Sequence, residues 1–358
     1  MMKKAFAYLL SALAVGLVLT SCIRDEIAEC PPMRITLAVK DKNYFNIDDV
    51  VAKGLIDKKD ENLPFREYVS TLYYIVRDQQ GNIVAERATY EVTGDAKEGV
   101  IDMPIDLPYG KYRITVWGNL KSEEPLGDDL ISAELEHADA ASRDVYLADA
   151  EVKYALGAEL HTVELERTKG RLIIVAENLP DYIDLSDKTV CDVYSFVATG
   201  LKYDRLTDLT SRTHWTEKGG ITTHTLTGPS KGFEQSTLKV AFHDADNAPA
   251  SPMARANSSL LPENIRITMG RNEITVVKYI YVKDGGSEPD PDPDPDPDPD
   301  PDPDPDPDPD PDPDPDPDPD PDPDPDPDPD PEPEPGGKFY IYVLVNDNWE
   351  MVHKMEID

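Results

Sequence analysis

Leu107-Pro108-Tyr109-Gly110-Lys111-Tyr112-Arg113-Ile114-Thr115-Val116-Trp117-Gly118-Asn119-Leu120 reads as a Pro/Gly turn followed by a strand. Tyr112, Ile114 and Val116 recur at every second residue, the period of a half-buried strand, and Trp117 points to the opposite face. Working outward, the same signal repeats. Upstream, residues 33–40 alternate apolar and polar, residues 67–78 are rich in β-branched and aromatic side chains, and Gln79-Gln80-Gly81-Asn82 turns that run into residues 83–86 as a hairpin. Residues 101–107 add a short extended stretch. Residues 132–146 carry some helical character and read equally well as loop.

Downstream, residues 161–166 close a first unit and residues 170–176 open a second, with the boundary near Thr168. Further short apolar runs at 190–197, 221–226, 238–242, 265–269 and 274–282 are separated by Gly, Pro, Asn and Asp clusters. Many short strands with turns between them predict an all-β protein of two antiparallel β-sandwich domains. About 260 residues between the two ends described next suit two domains of common size.

At the N-terminus, Lys3 and Lys4 precede an uncharged, mostly apolar run from Ala5 to Val18, and Leu19-Thr20-Ser21-Cys22 follows. A run of roughly 14 residues falls in the range of a signal-peptide core and short of the roughly 20 that a membrane-spanning helix needs. Small residues before a cysteine read as a bacterial lipoprotein signal, with residues 1–21 removed and the Cys22 thiol lipidated. Each buried methylene of an acyl chain contributes about 0.8 kcal/mol, so two or three chains hold Cys22 in a bilayer. Residues 22–32 then form a linker. Its acidic pair Asp25-Glu26 resembles the surface-export signal of Bacteroidales lipoproteins. Cys30 and Cys191 are the remaining cysteines, and an exported protein leaves them free to pair or to stay reduced.

At the other end, residues 289–335 are almost wholly Pro-Asp repeats, flanked by Gly285-Gly286 and Gly336-Gly337. With Glu288 the segment holds 24 of the 72 acidic residues and no basic one, so most of the formal net charge of −37 resides there. The rest of the chain is only moderately acidic and has no basic stripe, which argues against nucleic acid as a partner. Proline at alternate positions removes half the backbone donors and fixes φ near −65°, leaving polyproline II at about 3.1 Å per residue, or roughly 145 Å if straight. Successive carboxylates repel within the Debye length and favour extension. Calcium needs six to eight oxygens converging on one point, which outward-splayed carboxylates do not supply. The segment 285–337 reads as a solvated linker.

Beyond it, Phe339-Tyr340-Ile341-Tyr342-Val343-Leu344-Val345 is a strand apolar on both faces, Asn346-Asp347-Asn348 turns, and Trp349, Met351, His353, Met355 and Ile357 alternate with more polar neighbours. An isolated hairpin is marginal in water, so this one must dock on a sheet. Either it returns to the second domain beside residues 274–282, or it adds to a sheet edge of another subunit. The resulting domain map is 33–167 for the N-terminal sandwich and 168–284 with 338–358 for the C-terminal one.

Catalytic chemistry has little to stand on. The six histidines, His137, His161, His214, His224, His243 and His353, are scattered, and none sits in a metal-binding or hydrolase motif. His243-Asp244-Ala245-Asp246-Asn247 starts like a calcium loop, but Pro249 and Arg255 occupy the positions that need glycine and glutamate. No phosphate-cradling loop or nucleophile elbow is present. The expectation is a non-enzyme without cofactor or metal, whose one chemical site is lipid attachment at Cys22.

The lipobox, the early strand at 33–40, the turn and strand at 107–120, the stretch Val163-Glu164-Leu165-Glu166-Arg167 leading into residues 170–180, and the closing Val343-Leu344-Val345-Asn346 with Trp349 occur in an order that resembles the Bacteroidales fimbrium anchoring-subunit, or fimbrillin-associated lipoprotein, family. The resemblance implies two transthyretin-like sandwiches, a lipid (palmitate-type) anchor in the outer membrane, pilin subunits as partners, and a place at the base of a type V pilus, limiting its length. The long Pro-Asp insertion departs from that pattern. The alternative is a solitary surface lipoprotein binding a glycan or host protein, with Tyr203, Trp215, Tyr279 and Tyr281 as candidate lining residues.

Overall fold

The computed structural model describes residues 31–247, 259–283, 286–291 and 337–352. The signal peptide, the lipid site Cys22, Cys30, nearly all of the Pro-Asp repeat and His353 lie outside the described residues. The chain divides into two compact units. The first takes the residues up to Lys40, Asn62–Glu123 and Tyr146–Glu166, and the second takes Asp41–Glu61, Glu124–Val145 and the chain from Arg167 onward. Both excursions, 41–61 and 124–145, fall inside the stretch 33–167 that the sequence reads as one domain.

The first unit contains β1 (Arg34–Val39), β2 (Thr71–Arg77), β3 (Ile83–Glu91), β4 (Gly99–Asp102) and β5 (Gly110–Gly118); β6 (Ser132–Glu134) belongs to the second unit, and β7 (Tyr146–Tyr154) and β8 (Leu160–Arg167) return to the first. The strand order is β3-β2-β5-β7-β8-β1-β4. Alternation does what the sequence predicts. Ile35, Leu37 and Val39 of β1 enter the core with Tyr112, Ile114 and Val116 of β5, and Val163 and Leu165 of β8 join them. Trp117 leaves that core face but is fully buried, beside its cross-strand neighbours Tyr73 and Leu147. Antiparallel pairing predominates, with β1 and β8 running parallel. β5 ends where Asn119 takes a left-handed φ of 65°; its side chain accepts from the Ser70 N–H at 2.7 Å and donates to the Tyr68 carbonyl at 2.8 Å.

The second unit packs two sheets. One is β11 (Lys202–His214), β10 (Leu185–Ala198), β13 (Ser236–His243) and β14 (Ile265–Ile267), with β6 on β10. The other runs β12 (Gly220–Thr227), β9 (Gly170–Glu177), β15 (Ile274–Lys283), β16 (Gly337–Val345) and β17 (Asn348–Met351). Leu172 and Ile174, Val190 and Val193, Leu238 and Phe242, and Val277 and Tyr279 fill the space between them. β9 and β15 are parallel neighbours and are buried on both faces, as their near-continuous apolar sequences require. Their outer face is covered by the short helix α1 (Ile47–Ala52), through Tyr44, Ile47 and Val50 on Ile173, Val175, Ile274 and Val276.

Some expectations change. Residues 132–146 hold β6 and turns, with no helix. The strands β7 and β11 and the helix α1 arise in stretches that gave no clear periodic signal. Cys191 is buried and is in no disulfide among the described residues. No helix of the described residues is long and apolar enough to cross a membrane.

Candidate functional site

The C-terminal hairpin of the second unit docks on β15 of the same chain. β16 pairs antiparallel with β15 from Val277↔Val343 to Lys283↔Gly337, and β17 pairs with β16 around a two-residue turn, Asn346-Asp347. Both turn residues have positive φ, 47° and 64°, which matches the twist of a tight hairpin. Phe339 stacks on Phe242 with centroids 5.4 Å apart and meets Tyr281 and Tyr279 edge-on at 5.3 and 6.2 Å. Ile341 and Val343 continue into the inter-sheet core, and Leu344 and Trp349 extend the cover over the outer face.

The beginning of the repeat lies against this sheet. Tyr342 donates its hydroxyl to the Pro289 carbonyl at 3.0 Å, and Lys278 donates to the Pro291 carbonyl at 2.9 Å. Lys278 also pairs with Glu177 at 3.0 Å and lies over the Trp349 ring. Gly337, which flanks the repeat, has a packing reason to be glycine: a Cβ there would collide with the Tyr281 ring and hydroxyl.

Three polar clusters, none visible in the sequence, hold the excursions and strands of this unit in place. Lys169 is fully buried and donates to the carbonyls of Leu135, Ala140 and Ala141, each at 2.9 Å. Burial pushes its ammonium down to about 8, against the opposing pull of Glu136 and Asp144. Arg167 reaches Asp144 at 2.7 Å and the Asn272 side chain, its backbone N–H donates to Asp41, and Tyr44 packs on its guanidinium at 4.0 Å. The Asn46 side chain bonds both the N–H and the carbonyl of Ile274, at 2.9 and 2.8 Å, as a neighbouring strand would.

A further cluster has the residue types of a hydrolytic triad. Ser259 Oγ is 2.7 Å from His243 Nδ1, and His243 Nε2 is 3.3 Å from Asp187. Arg212 already grips Asp187 through two bonds of 2.6 and 2.7 Å, and both Asp187 and His243 are fully buried. Burial lowers the imidazole, so it stays neutral near pH 7. With no open face at the carboxylate or imidazole, the set ties β10, β11 and β13 together. Of the abortive calcium loop, Pro249 and Arg255 lie outside the described residues; its start, Ala245–Asn247, is one 3-10 turn in which the N–H groups of Ala245 and Asp246 donate to Asp184 and Asp244. Glu124, His137 and Asp139 gather ligand atoms within 4.8 Å, but His137 Nδ1 already accepts from the Asp139 N–H. The aromatics considered for a glycan site are not assembled as one. Tyr279, Tyr281 and Trp215 are core residues, and Tyr203 donates to the Thr168 carbonyl.

The sheet edges separate by charge. Edge strands β3 and β11 are long but carry Glu86, Arg87 and Glu91, and Lys202, Asp204, Arg205, Asp208 and Arg212, while β4, β14 and β17 are only three or four residues. Charges and shortness both blunt an edge. β12, Gly220-Ile221-Thr222-Thr223-His224-Thr225-Leu226-Thr227, is the one edge strand among the described residues that is long and free of Asp, Glu, Lys and Arg. Burial, with Arg171 and Lys188 nearby, lowers the His224 imidazole, so this edge is uncharged at neutral pH.

No protein-family model and no curated protein matches the sequence. Among solved structures, a “putative adhesin” from Bacteroides ovatus is similar at 11% identity and a TM-score of 0.49, over 93% of this chain and 98% of that one. A second “putative adhesin”, from Bacteroides thetaiotaomicron, is similar at 13% identity and 0.45, over 70% and 92%. The fimbrial anchor protein Mfa2 from Porphyromonas gingivalis is similar at 13% identity and 0.39, over 72% of this chain and 93% of that chain.

Proposed function

We propose that the protein is a structural anchor or accessory subunit of cell-surface fimbriae, held to the outer membrane through lipid on Cys22 and joined to a pilin by strand addition. The observation that carries this reading is the contrast between two edges of one sheet. Beside β15 the edge is already filled by the chain's own β16, which completes the core with Phe339, Ile341 and Val343. A slot filled in cis accepts no further donor, as suits a subunit that ends a filament. At the opposite edge β12 offers eight uncharged residues to an incoming strand, whose main-chain hydrogen bonds would give affinity and whose alternate side chains would give register. The lipobox and the family resemblance of the sequence support the placement at the cell surface. Neither the fold nor the clusters favour an enzyme.

Placing charges on the exposed β12 residues, as in a Thr222→Lys, His224→Lys variant, should abolish co-purification of a pilin ladder while the monomer still folds. Equal ladders from variant and wild type refute β12 as the acceptor. Cells lacking the protein should shed fimbriae or change their length, and cell-bound filaments of unchanged length refute the anchor. Replacing Cys22 with Ala should release the protein from membranes and stop incorporation of labelled palmitate.

A further inference from the structure

Five large apolar side chains among the described residues are more than 70% exposed, and three of them, Ile105 (72%), Leu156 (78%) and Leu160 (75%), lie at one end of the first unit. Single exposed apolar residues are ordinary, but a group marks a contact surface. The hydrogen bonding shows that this is the end where the chain enters. Leu160 pairs with Arg34, the first residue of β1, and the Arg34 N–H donates to the Glu159 carbonyl. Arg34 also pairs with Asp102, three residues before Ile105, and the Met103 N–H donates to the Met33 carbonyl. Leu156 lies in the turn closed by the Ala155↔Ala158 bridge, just past Tyr154, whose hydroxyl donates to the Pro31 carbonyl. Tyr109, 46% exposed, packs edge-on against Tyr154 at 4.8 Å.

We propose that this end of the first unit seats on the lipid surface, with Ile105, Leu156 and Leu160 entering the headgroup boundary and Tyr109 lying beside them. The inference rests on the reading of Cys22 as the lipid site. Nine peptide steps separate Cys22 from Pro31, at most about 30 Å of chain, so the tether joins the unit at this rim and keeps the rim close to the bilayer. The chemistry fits: apolar tips with a flanking tyrosine suit a membrane interface. Charges nearby are mixed, Arg34 against Asp102 and Lys111 against Glu151, so the contact depends on apolar insertion rather than on anionic lipid.

The test places a fluorescent label on single cysteines, Ile105→Cys, Leu156→Cys and the control Glu91→Cys at the opposite end of the first unit, where β3 pairs with Thr71, in a Cys30→Ser, Cys191→Ala background of the full chain. One arm uses the lipidated protein, and a second uses a Cys22→Ala chain tethered by an N-terminal hexahistidine to nickel-chelating lipid. Both arms use phosphatidylethanolamine–phosphatidylglycerol vesicles with brominated acyl chains. Labels at 105 and 156 should be quenched about twofold more than the label at 91 in both arms. Equal quenching at all three positions in the tethered arm overturns the seat. Failure of the lipidated protein to float with vesicles overturns Cys22 as the anchor and leaves the tethered arm to decide the seat by itself. A soluble dimer that an Ile105→Ser, Leu156→Ser, Leu160→Ser variant abolishes would assign the rim to a second copy, and would equally overturn the proposal.

Discussion

In both units the first and last strands of the contiguous chain lie side by side and parallel, β1 with β8 and β9 with β15, yet they are finished in different ways. β1 and β8 alternate buried and exposed residues, so one face meets the core and the other meets solvent. β9 and β15 are buried on both faces, and the chain supplies two separate covers: α1 with its flanks on one side, and the tail hairpin beside β15. The strand beside β1 is the four-residue β4, made locally, whereas the strand beside β15 is the nine-residue β16, delivered across the repeat. A sheet apolar on both faces must recruit sequence from a distance, and that recruitment concentrates the stability of the second unit in a few remote contacts.

Deleting residues 337–358 breaks the comparison most severely. Phe242, Tyr279 and Tyr281 lose Phe339, and Ile341 and Val343 leave the core, at about 1.5–3 kcal/mol for each large side chain. The second unit should lose more than about 5 kcal/mol, on the scale of a whole domain's stability, while the first keeps its own transition. A single unchanged calorimetric melt would contradict this.

Next comes Lys169. Lys169→Ala takes a donor from three carbonyls, of which that of Ala140 keeps the Arg143 N–H, and should cost about 3 kcal/mol in urea unfolding. Its pH signature is distinct. Because the folded ammonium is depressed to about 8 while the unfolded one titrates near the usual 10.4, the unfolded state binds more protons between those values. Stability of the second unit should therefore rise across that window as a burial penalty is relieved, and Lys169→Met should reduce the rise, leaving the part due to Lys188, whose ammonium burial also lowers to about 8. A slope unchanged in the Met variant would assign the rise to Lys188 and other groups.

Two asparagines sharpen the contrast. Asn46 in the second unit and Asn119 in the first each bond backbone on a neighbouring segment. Asn46→Ala should cost about 2 kcal/mol. Asn119→Ala should cost about 1 kcal/mol more, because alanine also inherits the left-handed φ of 65°. Equal losses by chemical denaturation would show that the backbone term is negligible.

The smallest effect belongs to the repeat. Removing residues 295–330 shortens the connection between Lys283 and Gly337 from 53 to 17 residues, and the logarithmic closure term predicts a gain of only about 1 kcal/mol. A melting temperature that becomes concentration-dependent after shortening would mean that the tail now docks on another copy.

Legibility in the sequence followed where the side chains carry their own pattern. The two-sided tail strand announces its burial before any coordinates are known, and the apolar runs of β9 and β15 read as strands, although their burial on both faces came only with the structure. β11 escaped because Lys202–His214 is polar at nearly every position, its strand character residing in threonines and in its partner β10. The helix α1 is too short for its period to register, at six residues. Lys169 was invisible for a different reason: its three acceptors lie 28 to 34 residues earlier, and nothing in Arg167-Thr168-Lys169 indicates burial. The edge strand β12 was legible as a strand, but its value as an acceptor depends on knowing that every other long edge is charged.

Lys283 and Gly337 face each other across one ladder, so the proline-aspartate stretch departs from and rejoins the sheet at adjacent points. Adding or losing a dipeptide therefore changes nothing that the sheet can feel. Replication slippage within so monotonous a coding tract would give sibling cells acidic loops of different length on an identical scaffold.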